Sequence, residues 1–124
     1  MRWGIAATGA IAAGFATGLA ETEGAERAAV ASRTTERAQA FADEHGFARA
    51  HGSYEALAED PEVDVVYVAS PQNRHCDDTL LFLEAGKHVL CEKPFAMTRA
   101  EGERMVAAAR DRGRFLMEAM WSRF

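Results

Sequence analysis

A lysine near the end of the chain stands where it could take part in proton transfer. Lys93 follows a strand-like run at 88–91 and belongs to the tripeptide Glu92-Lys93-Pro94. Because a residue before proline is held extended, the backbone aims the Lys93 amine in one direction, and a fixed amine can act as a general acid or base. Glu92 either orients this amine or simply ends the strand. The alternative for Lys93 is a solvated loop lysine.

A turn of small residues near the start of the chain is a second candidate site. Residues 7–12, Ala-Thr-Gly-Ala-Ile-Ala, connect a strand-like run to a helical pattern. In dinucleotide-binding folds such a turn lets the backbone approach a pyrophosphate, whose charge the helix N-terminus stabilises. Gly9 fits the central position and Ala12 the third, whereas Ala7 departs from the first glycine and narrows the turn geometry. The alternative is a small-residue helix start with no ligand. The expected cofactor contacts are Thr8, Gly9, Ile11 and Ala12.

Hydroxyl and guanidinium groups follow the second predicted strand, at 27–32. An acidic residue about twenty positions after the glycines would bind the adenosine ribose of NAD(H), but this chain has Ser32 and Arg33 there. Arg33 can make a forked contact to a 2′-phosphate, Ser32 and Thr34 can donate hydroxyls to it, and Arg37 can reach it from the next helix. The pattern favours NADP(H) as cofactor, with NAD(H) as the second choice. The alternative is that both arginines are a solvated surface pair.

The loop after the fourth predicted strand, 63–69, is expected to touch the same cofactor. Open parallel sheets bind ligands at the carboxyl ends of strands, where the strand order reverses. Ser70 and Pro71 begin this loop, and Pro71 makes it rigid. Asn73 could bond a ribose hydroxyl. His75 either faces the nicotinamide side or is a neutral histidine at a helix N-terminus with a local hydrogen bond.

The composition is that of one ordinary globular domain, with 48% hydrophobic and 27% charged residues over 124 positions. A net charge of -5, with no basic stripe, argues against binding to nucleic acid or to a membrane surface. The N-terminal apolar run is too short to span a bilayer and lacks a cleavable signal pattern, so we expect a cytoplasmic protein. Cys76 and Cys91 have no further ligands at metal spacing, so we expect reduced thiols and no metal site.

Strand-like runs alternate with helical patterns along the whole chain, which predicts an α/β fold with a parallel sheet. The expected topology is a Rossmann-type doubly wound sheet with strand order 3-2-1-4-5-6. Gly46 and Gly113 stand where helices should end, and Thr98 and Glu101 have the spacing of a capping box. The predicted strands are 3–7, 27–32, 48–50, 63–69, 88–91 and 115–120, and the predicted helices are 10–20, 35–45, 53–59, 73–85 and 98–112.

In these motifs the chain resembles the Gfo/Idh/MocA family, named for glucose-fructose oxidoreductase, inositol dehydrogenase and rhizopine catabolism. The resemblance covers essentially the whole chain, and its most specific part is the segment 85–94, Ala-Gly-Lys-His-Val-Leu-Cys-Glu-Lys-Pro. Residues 118–124 are most similar to the branch with dihydrodiol dehydrogenases and NADP-dependent D-xylose dehydrogenases. The other matching residues are Trp3, Gly4, Ile5, Gly9, Ile11, Ala12, Val30, Ala31, Ser32, Arg33, Ser70, Pro71 and His75.

The resemblance implies hydride transfer between a nicotinamide and a carbinol carbon of a small-molecule sugar, polyol or dihydrodiol. It places Lys93 beside the substrate hydroxyl, where it assists deprotonation, and Pro94 against the nicotinamide, so Glu92, Lys93 and Pro94 are expected at the cofactor. It also implies that Trp121 lines the substrate pocket and that Arg123 approaches the cofactor. Packing at a domain interface is the alternative for both.

Members of the family carry a second α/β domain that covers the nicotinamide, adds catalytic residues and forms the dimer. We therefore expect residues 1–124 to be the NADP-binding Rossmann domain without that second domain, inactive alone, from a full-length enzyme that is a homo-oligomer. A truncated or proteolysed chain or a broken reading frame would produce it. Two other functions stay open. One is a non-catalytic NADP-binding or sensor module, and the other is a flavodoxin-like or receiver-type domain without dinucleotide affinity.

Overall fold

The computed structural model describes residues 1–120 of the chain as alternating strands and helices. Most boundaries differ from the predicted ones by one or two residues, which is the usual uncertainty at element ends. The strands are β1 (Arg2–Ala6), β2 (Glu26–Ala31), β3 (Arg49–His51), β4 (Val65–Val68), β5 (His88–Glu92) and β6 (Leu116–Ala119). The helices are α1 (Ala10–Ala20), α2 (Thr35–His45), α3 (Tyr54–Ala58), α4 (His75–Glu84) and α5 (Arg99–Arg112), and a single 3-10 turn, Gln72–Arg74, precedes α4.

The six strands form one parallel sheet in the order β3-β2-β1-β4-β5-β6, which confirms the predicted Rossmann-type topology. β1 is central, with Gly4 opposite Ala29 of β2 on one side and Val66 of β4 on the other. Because all strands run the same way, their carboxyl ends and the loops that follow them lie on one edge of the sheet, here called the carboxyl rim. The strand order reverses between β1 and β4, so the rim is open to a ligand there.

Helices cover the sheet on both faces and create two apolar layers. On one face, α3, α4 and α5 bury a cluster that includes Leu57, Phe82 and Met105. On the other face, α1 and α2 bury Ile5 and Phe41. Burying one such side chain contributes about 1.5–3 kcal/mol, so these layers fix the central strands and the loops at their ends. Every residue of β4 is buried, as expected for a strand covered on both sides.

Local signals begin and end the helices where the sequence predicts them. Gly46 and Gly113 follow α2 and α5 in the left-handed conformation, with φ of +75° and +62°. Thr98 Oγ1 accepts a hydrogen bond of 3.1 Å from the Glu101 amide at the start of α5. None of the helices described within residues 1–120 combines the length and the apolarity that crossing a membrane requires.

Candidate functional site

The structure brings four predicted groups of residues to the carboxyl rim. They follow β1, β2, β4 and β5, and backbone hydrogen bonds tie the first three together. The amide of Ala7 donates to Ala31 at 2.9 Å, and the amide of Ala69 donates to Ala6 at 3.0 Å. Trp121 and Arg123, which the sequence also assigns to the site, lie outside the described residues.

The turn after β1 leaves the N-terminus of α1 open. Gly9 is the N-cap residue and has no side chain that could accept a hydrogen bond from the first helical amides. No acidic residue occupies the first turn of α1. The first helical bond runs from the Ala13 amide to the Gly9 carbonyl, so the amides of residues 10–12 have no acceptor within the helix. An added Cβ at Gly9 would meet nothing within 4 Å. Packing therefore does not require glycine here, and the space above the turn fits a ligand whose anionic group approaches the backbone closely.

Ala7 has a backbone conformation that was not predicted from the sequence. Its φ is +102°, the only positive value for a non-glycine residue within residues 1–120. A positive φ destabilises the folded state when the residue is alanine, because the Cβ clashes with the backbone, and glycine avoids this cost. The turn therefore keeps its conformation although alanine replaces the first glycine, and the backbone of Ala7 is strained.

Two further residues of the first turn are placed differently from each other. Ile11 is 51% exposed, so an apolar side chain stands at the rim beside the open amides. Ala12 is 1% exposed, and its side chain packs into the layer between α1 and the sheet. Ala12 can reach a ligand only through its backbone amide.

The end of β2 presents hydroxyl groups and two arginines. Ser32 is buried, and Thr8 Oγ1 donates to Ser32 Oγ at 3.4 Å, which links this segment to the turn after β1. Thr34 is the N-cap of α2, and its hydroxyl accepts from the Arg37 amide at 3.2 Å. Arg33 and Arg37 are exposed, and neither forms a salt bridge with any residue in the range 1–120. No carboxylate of the described residues therefore occupies either guanidinium group.

The loop after β4 is held by a buried carboxylate. Ser70 Oγ donates to Asp78 Oδ2 at 2.6 Å, and Arg74 donates to Asp78 Oδ1 at 3.0 Å. Asp78 and His75 are each 1% exposed, so the anchor of this loop lies inside the protein. Pro71 and Asn73 are exposed on the outer side of the loop, where the sequence analysis places the ribose.

His75 is buried and makes two hydrogen-bond contacts with carbonyl oxygens. Its Nδ1 lies 2.7 Å from the oxygen of Pro94, and its Nε2 lies 2.9 Å from the oxygen of Ser70. The ring is therefore surrounded by protein and does not open to the rim.

After β5, Lys93 and Pro94 are exposed at the rim and their peptide bond is cis. Glu92 points the other way. It is 4% exposed, and its Oε2 accepts from the Tyr67 hydroxyl at 2.5 Å. Burial and the hydrogen bond to Glu92 raise the pKa of Tyr67. The other carboxylate oxygen, Oε1, is buried with no hydrogen-bond partner among residues 1–120. The Glu92 carboxylate thus engages a tyrosine of β4, and no hydrogen bond between Glu92 and Lys93 is seen within residues 1–120.

Sequence reasoning missed three residues of this region. Tyr67 is a polar aromatic in an otherwise aliphatic strand, and Asp78 is a carboxylate on the inner side of α4 four positions after Arg74, so both carried a signal. Tyr54, at the start of α3, gave none. Burial and the charge of Asp78 raise the pKa of Tyr54, while Arg33 and Arg74 act to lower it. Tyr54 is therefore influenced by charges that follow both β2 and β4.

The charges at the rim suit an anion better than a cation. Arg33, Arg37 and Lys93 add positive charge beside the open N-terminus of α1, whose dipole has the same sign. Within residues 1–120, no three His, Cys, Asp or Glu side chains are grouped to hold a metal ion. This set of donors fits a phosphorylated ligand.

Comparison with known proteins gives a consistent result. Residues 1–120 match the model of the oxidoreductase family with an NAD-binding Rossmann fold, GFO_IDH_MocA. The trans-1,2-dihydrobenzene-1,2-diol dehydrogenases of Mus musculus and Danio rerio are 49% and 50% identical to this chain over its whole length. The chain spans 38% of the length of these relatives.

Solved structures show the same fold. A 3-ketoreductase from Actinomadura kijaniata in complex with NADP is 40% identical, with a TM-score of 0.89 over 95% of this chain and 38% of that protein. An NAD binding oxidoreductase from Klebsiella pneumoniae is 29% identical, with a TM-score of 0.92 over 96% of this chain and 34% of that protein.

Proposed function

This chain belongs to the Gfo/Idh/MocA family of oxidoreductases and forms its NAD-binding Rossmann fold, and on that premise we propose that it binds NADP(H) across the carboxyl rim. One observation carries the proposal. The uncapped N-terminus of α1 and two arginines without salt-bridge partners among residues 1–120 lie on the same rim, at the ends of β1 and β2. The N-terminus of α1 fits a pyrophosphate, and the two arginines fit a 2′-phosphate.

Each segment of the rim then has a part in binding. The amides after Gly9 hold the pyrophosphate, with Thr8 and Ile11 beside it. Ser32, Arg33, Thr34 and Arg37 hold the 2′-phosphate and adenosine. Ser70, Pro71 and Asn73 bound the ribose on the nicotinamide side. Lys93 and Pro94 lie at the nicotinamide end. The structure of the Actinomadura kijaniata 3-ketoreductase with NADP supports the choice of cofactor.

We further propose that the complete enzyme oxidises or reduces a carbinol carbon of a sugar, polyol or dihydrodiol. The nicotinamide supplies or accepts the hydride at that carbon when it is bound. Lys93 Nζ, as the neutral amine, takes the proton of the substrate hydroxyl in the oxidation and returns it in the reduction. The dihydrodiol dehydrogenases of Mus musculus and Danio rerio support the class of substrate.

This function assigns residues 1–124 to the cofactor-binding domain. The rest of the full-length enzyme then provides the substrate pocket, covers Lys93 from solvent and forms the contacts between subunits. The chain alone binds NADP(H) and does not turn over substrate.

A second candidate is a non-catalytic NADP-binding module, and one observation favours it. The Lys93 side chain is exposed and has no hydrogen-bond partner among residues 1–120. Replacing Lys93 by alanine in the full-length protein separates the two functions. An enzyme loses turnover and keeps its affinity for NADPH, whereas a binding module keeps both its affinity and its signalling output.

The proposed function is tested by titrating the chain with NADPH and with NADH while nicotinamide fluorescence is recorded. We expect NADPH to bind at least about tenfold more tightly, a difference of about 1.4 kcal/mol in binding free energy. Equal affinities would remove the assignment of the 2′-phosphate to Arg33. Failure of both dinucleotides to bind would overturn the proposal as a whole.

A further inference from the structure

One side chain joins the two loops that carry the predicted site residues after β4 and β5. His75 is the first residue of α4 and is 1% exposed. Its two ring nitrogens lie 2.9 Å from the Ser70 carbonyl oxygen and 2.7 Å from the Pro94 carbonyl oxygen. The first oxygen belongs to the loop after β4 and the second to the loop after β5. The ring therefore spans the gap between them.

Both loops are also anchored on their far sides. The Ser70 hydroxyl donates to Asp78 Oδ2 at 2.6 Å, so the loop after β4 is fixed to α4 at two points. The Phe95 amide donates to Glu118 Oε2 of β6 at 2.7 Å, so the segment after β5 is held between β6 and His75. Lys93 directly precedes this held segment.

The chemistry of the two contacts makes the imidazole hard to replace. A carbonyl oxygen only accepts hydrogen bonds, so the ring must donate. A ring with one N–H donates to one of these oxygens at a time, and a ring with hydrogen on both nitrogens donates to both. A side-chain amide has its two N–H groups on one nitrogen and cannot reach two oxygens on opposite sides of a ring.

We propose that His75 is a positioning residue, which locks the Pro94 carbonyl to the loop after β4 and so fixes the place of Lys93 relative to bound NADP(H). The inference rests on the proposed function. It gives His75 a role that needs no contact with cofactor or substrate, in agreement with its burial. Because effective catalysis depends on geometry to within about 1 Å, a released Pro94 loop should affect the nicotinamide end of the site and leave the phosphate end unchanged.

The test compares affinity with nicotinamide fluorescence in the chain itself. His75→Phe retains a ring and removes both donors. We expect the NADPH dissociation constant to change by less than threefold, because Gly9 and Arg33 are untouched. We expect the fluorescence enhancement of the bound nicotinamide to fall at least twofold. We expect hydrogen exchange of the Phe95 amide, which donates to Glu118 Oε2 at 2.7 Å, to speed up at least tenfold. His75→Gln keeps one donor and should give intermediate values for both.

Cys76→Ala is the matched control. Cys76 is the next residue of α4 and is 3% exposed, but its thiol faces the Glu101 carbonyl of α5 at 3.8 Å. This variant should lose stability while nicotinamide fluorescence and the exchange rate of the Phe95 amide stay within about 1.5-fold of the parent. If it changes them as much as His75→Phe does, destabilisation of α4 explains the effect and the proposal is wrong.

A measurement on the unchanged chain covers the case in which His75→Phe does not fold. Ring N–H hydrogen on His75 should give a proton signal downfield of the amide region that exchanges slowly with water, because the ring is buried. Absence of such signals in the folded chain would overturn the proposal. If the unchanged chain shows such a signal but binds no NADPH, the proposed function fails, while the link between the two loops still stands on the exchange rate of the Phe95 amide.

Discussion

In the turn after β1, Ala7 has the backbone conformation that favours glycine, and Gly9 does not. Ala7 has φ of +102°, in the region that favours glycine, whereas Gly9, two residues later, has φ of -81°, which any residue can adopt. The residue with the side chain thus bears the strain. The residue without one faces open space, where nothing in the protein lies within 4 Å of the position of a Cβ.

Replacing Ala7 by glycine should stabilise the protein. Removing the methyl group relieves strain of about 1–3 kcal/mol, and the greater freedom of glycine in the unfolded chain offsets up to about 1 kcal/mol of that. We expect a net gain of about 1 kcal/mol in the free energy of unfolding, measured by urea denaturation. Ala13→Gly makes the same chemical change inside α1 and should cost about 1 kcal/mol. A loss of stability for Ala7→Gly would show that the turn is not strained.

Replacing Gly9 by alanine should weaken NADPH binding without weakening the fold. The new methyl group meets no protein atom, so the free energy of unfolding should change by less than about 0.5 kcal/mol. It enters the space assigned to the pyrophosphate, so we expect at least about a tenfold rise in the NADPH dissociation constant, about 1.4 kcal/mol.

Gly18→Ala is the control for that experiment. Gly18 lies in the same helix, where an added Cβ also meets nothing within 4 Å. The variant should be more stable by about 0.5–1 kcal/mol and bind NADPH as the parent does. An unchanged NADPH affinity in Gly9→Ala would show that the pyrophosphate does not bind at this turn.

Arg33→Ser should remove the preference for NADPH. Arg33 has no salt bridge to lose among residues 1–120, so stability should hardly change, while the 2′-phosphate loses a charged, forked partner. We expect NADPH affinity to fall by about 10- to 100-fold, since a charge-assisted hydrogen bond contributes about 1.5–3 kcal/mol, and NADH affinity to stay constant. Arg112→Ser, at the far end of α5, should change neither. An equal loss for both dinucleotides would mean that Arg33 contacts a part common to them.

Asp60 should make the fold sensitive to acid. Burial works against its charge, but hydrogen bonds from Arg49 and His51, both at 2.9 Å, outweigh it and lower the pKa of Asp60 to about 2 from an ordinary 3.8. Since the folded pKa is the lower one, this stabilisation is present above pH 4 and is lost as the pH falls from about 4 to about 2. Between pH 4 and pH 2 the free energy of unfolding should fall less in Asp60→Asn than in the parent, by on the order of 1–2 kcal/mol. Thermal unfolding at a series of pH values measures this difference.

A neighbouring acid provides the comparison. Glu62 is 60% exposed and pairs with Arg2 at 2.7 Å, so Glu62→Gln should change stability by less than about 0.5 kcal/mol at any pH. An Asp60→Asn curve parallel to that of the parent would assign the acid sensitivity to other carboxylates, Asp64 first, because hydrogen bonds from Arg2 lower the pKa of Asp64 to about 2.

Both cysteines should resist labelling in the folded protein. Burial raises the pKa of Cys91 to about 12 and also raises the pKa of Cys76, and the two residues are 0% and 3% exposed. Only the thiolate reacts, so a disulfide reagent at pH 8 should modify neither thiol until the protein opens. Denaturant should release two thiols, and saturating NADPH should slow their release. Rapid reaction of Cys91 without denaturant would contradict the packing of β5.

Local signals account for most of what the sequence predicted correctly. The left-handed Gly46 and the Thr98 cap mark helix ends because each acts through residues at most four positions away. The apolar run of β4 predicted a strand covered on both faces, and it is one. Right-handed crossovers reduce the possible strand orders to a few. The dinucleotide-binding turn after β1 favours the order 3-2-1-4-5-6 among them.

Contacts between distant side chains lay beyond that reasoning. Tyr67 and Glu92 are 25 positions apart, and the sequence analysis assigned Glu92 to Lys93 or to no partner. His75 was given either a cofactor contact or a local hydrogen bond, and one of its actual partners is 19 positions away. Periodicity places such residues on an element, but it does not say which side chains meet across two loops.

The central place of β1 has a consequence for the synthesis of this protein. Trp3 is opposite Val65, so one edge of β1 is completed by a strand about sixty residues later in the chain. A ribosome adds roughly 5–20 residues per second, and for several seconds the emerging β1 and β2 present an edge that any other nascent chain could extend. Synthesis of β4 therefore ends the period in which this edge of β1 has no partner strand in its own chain.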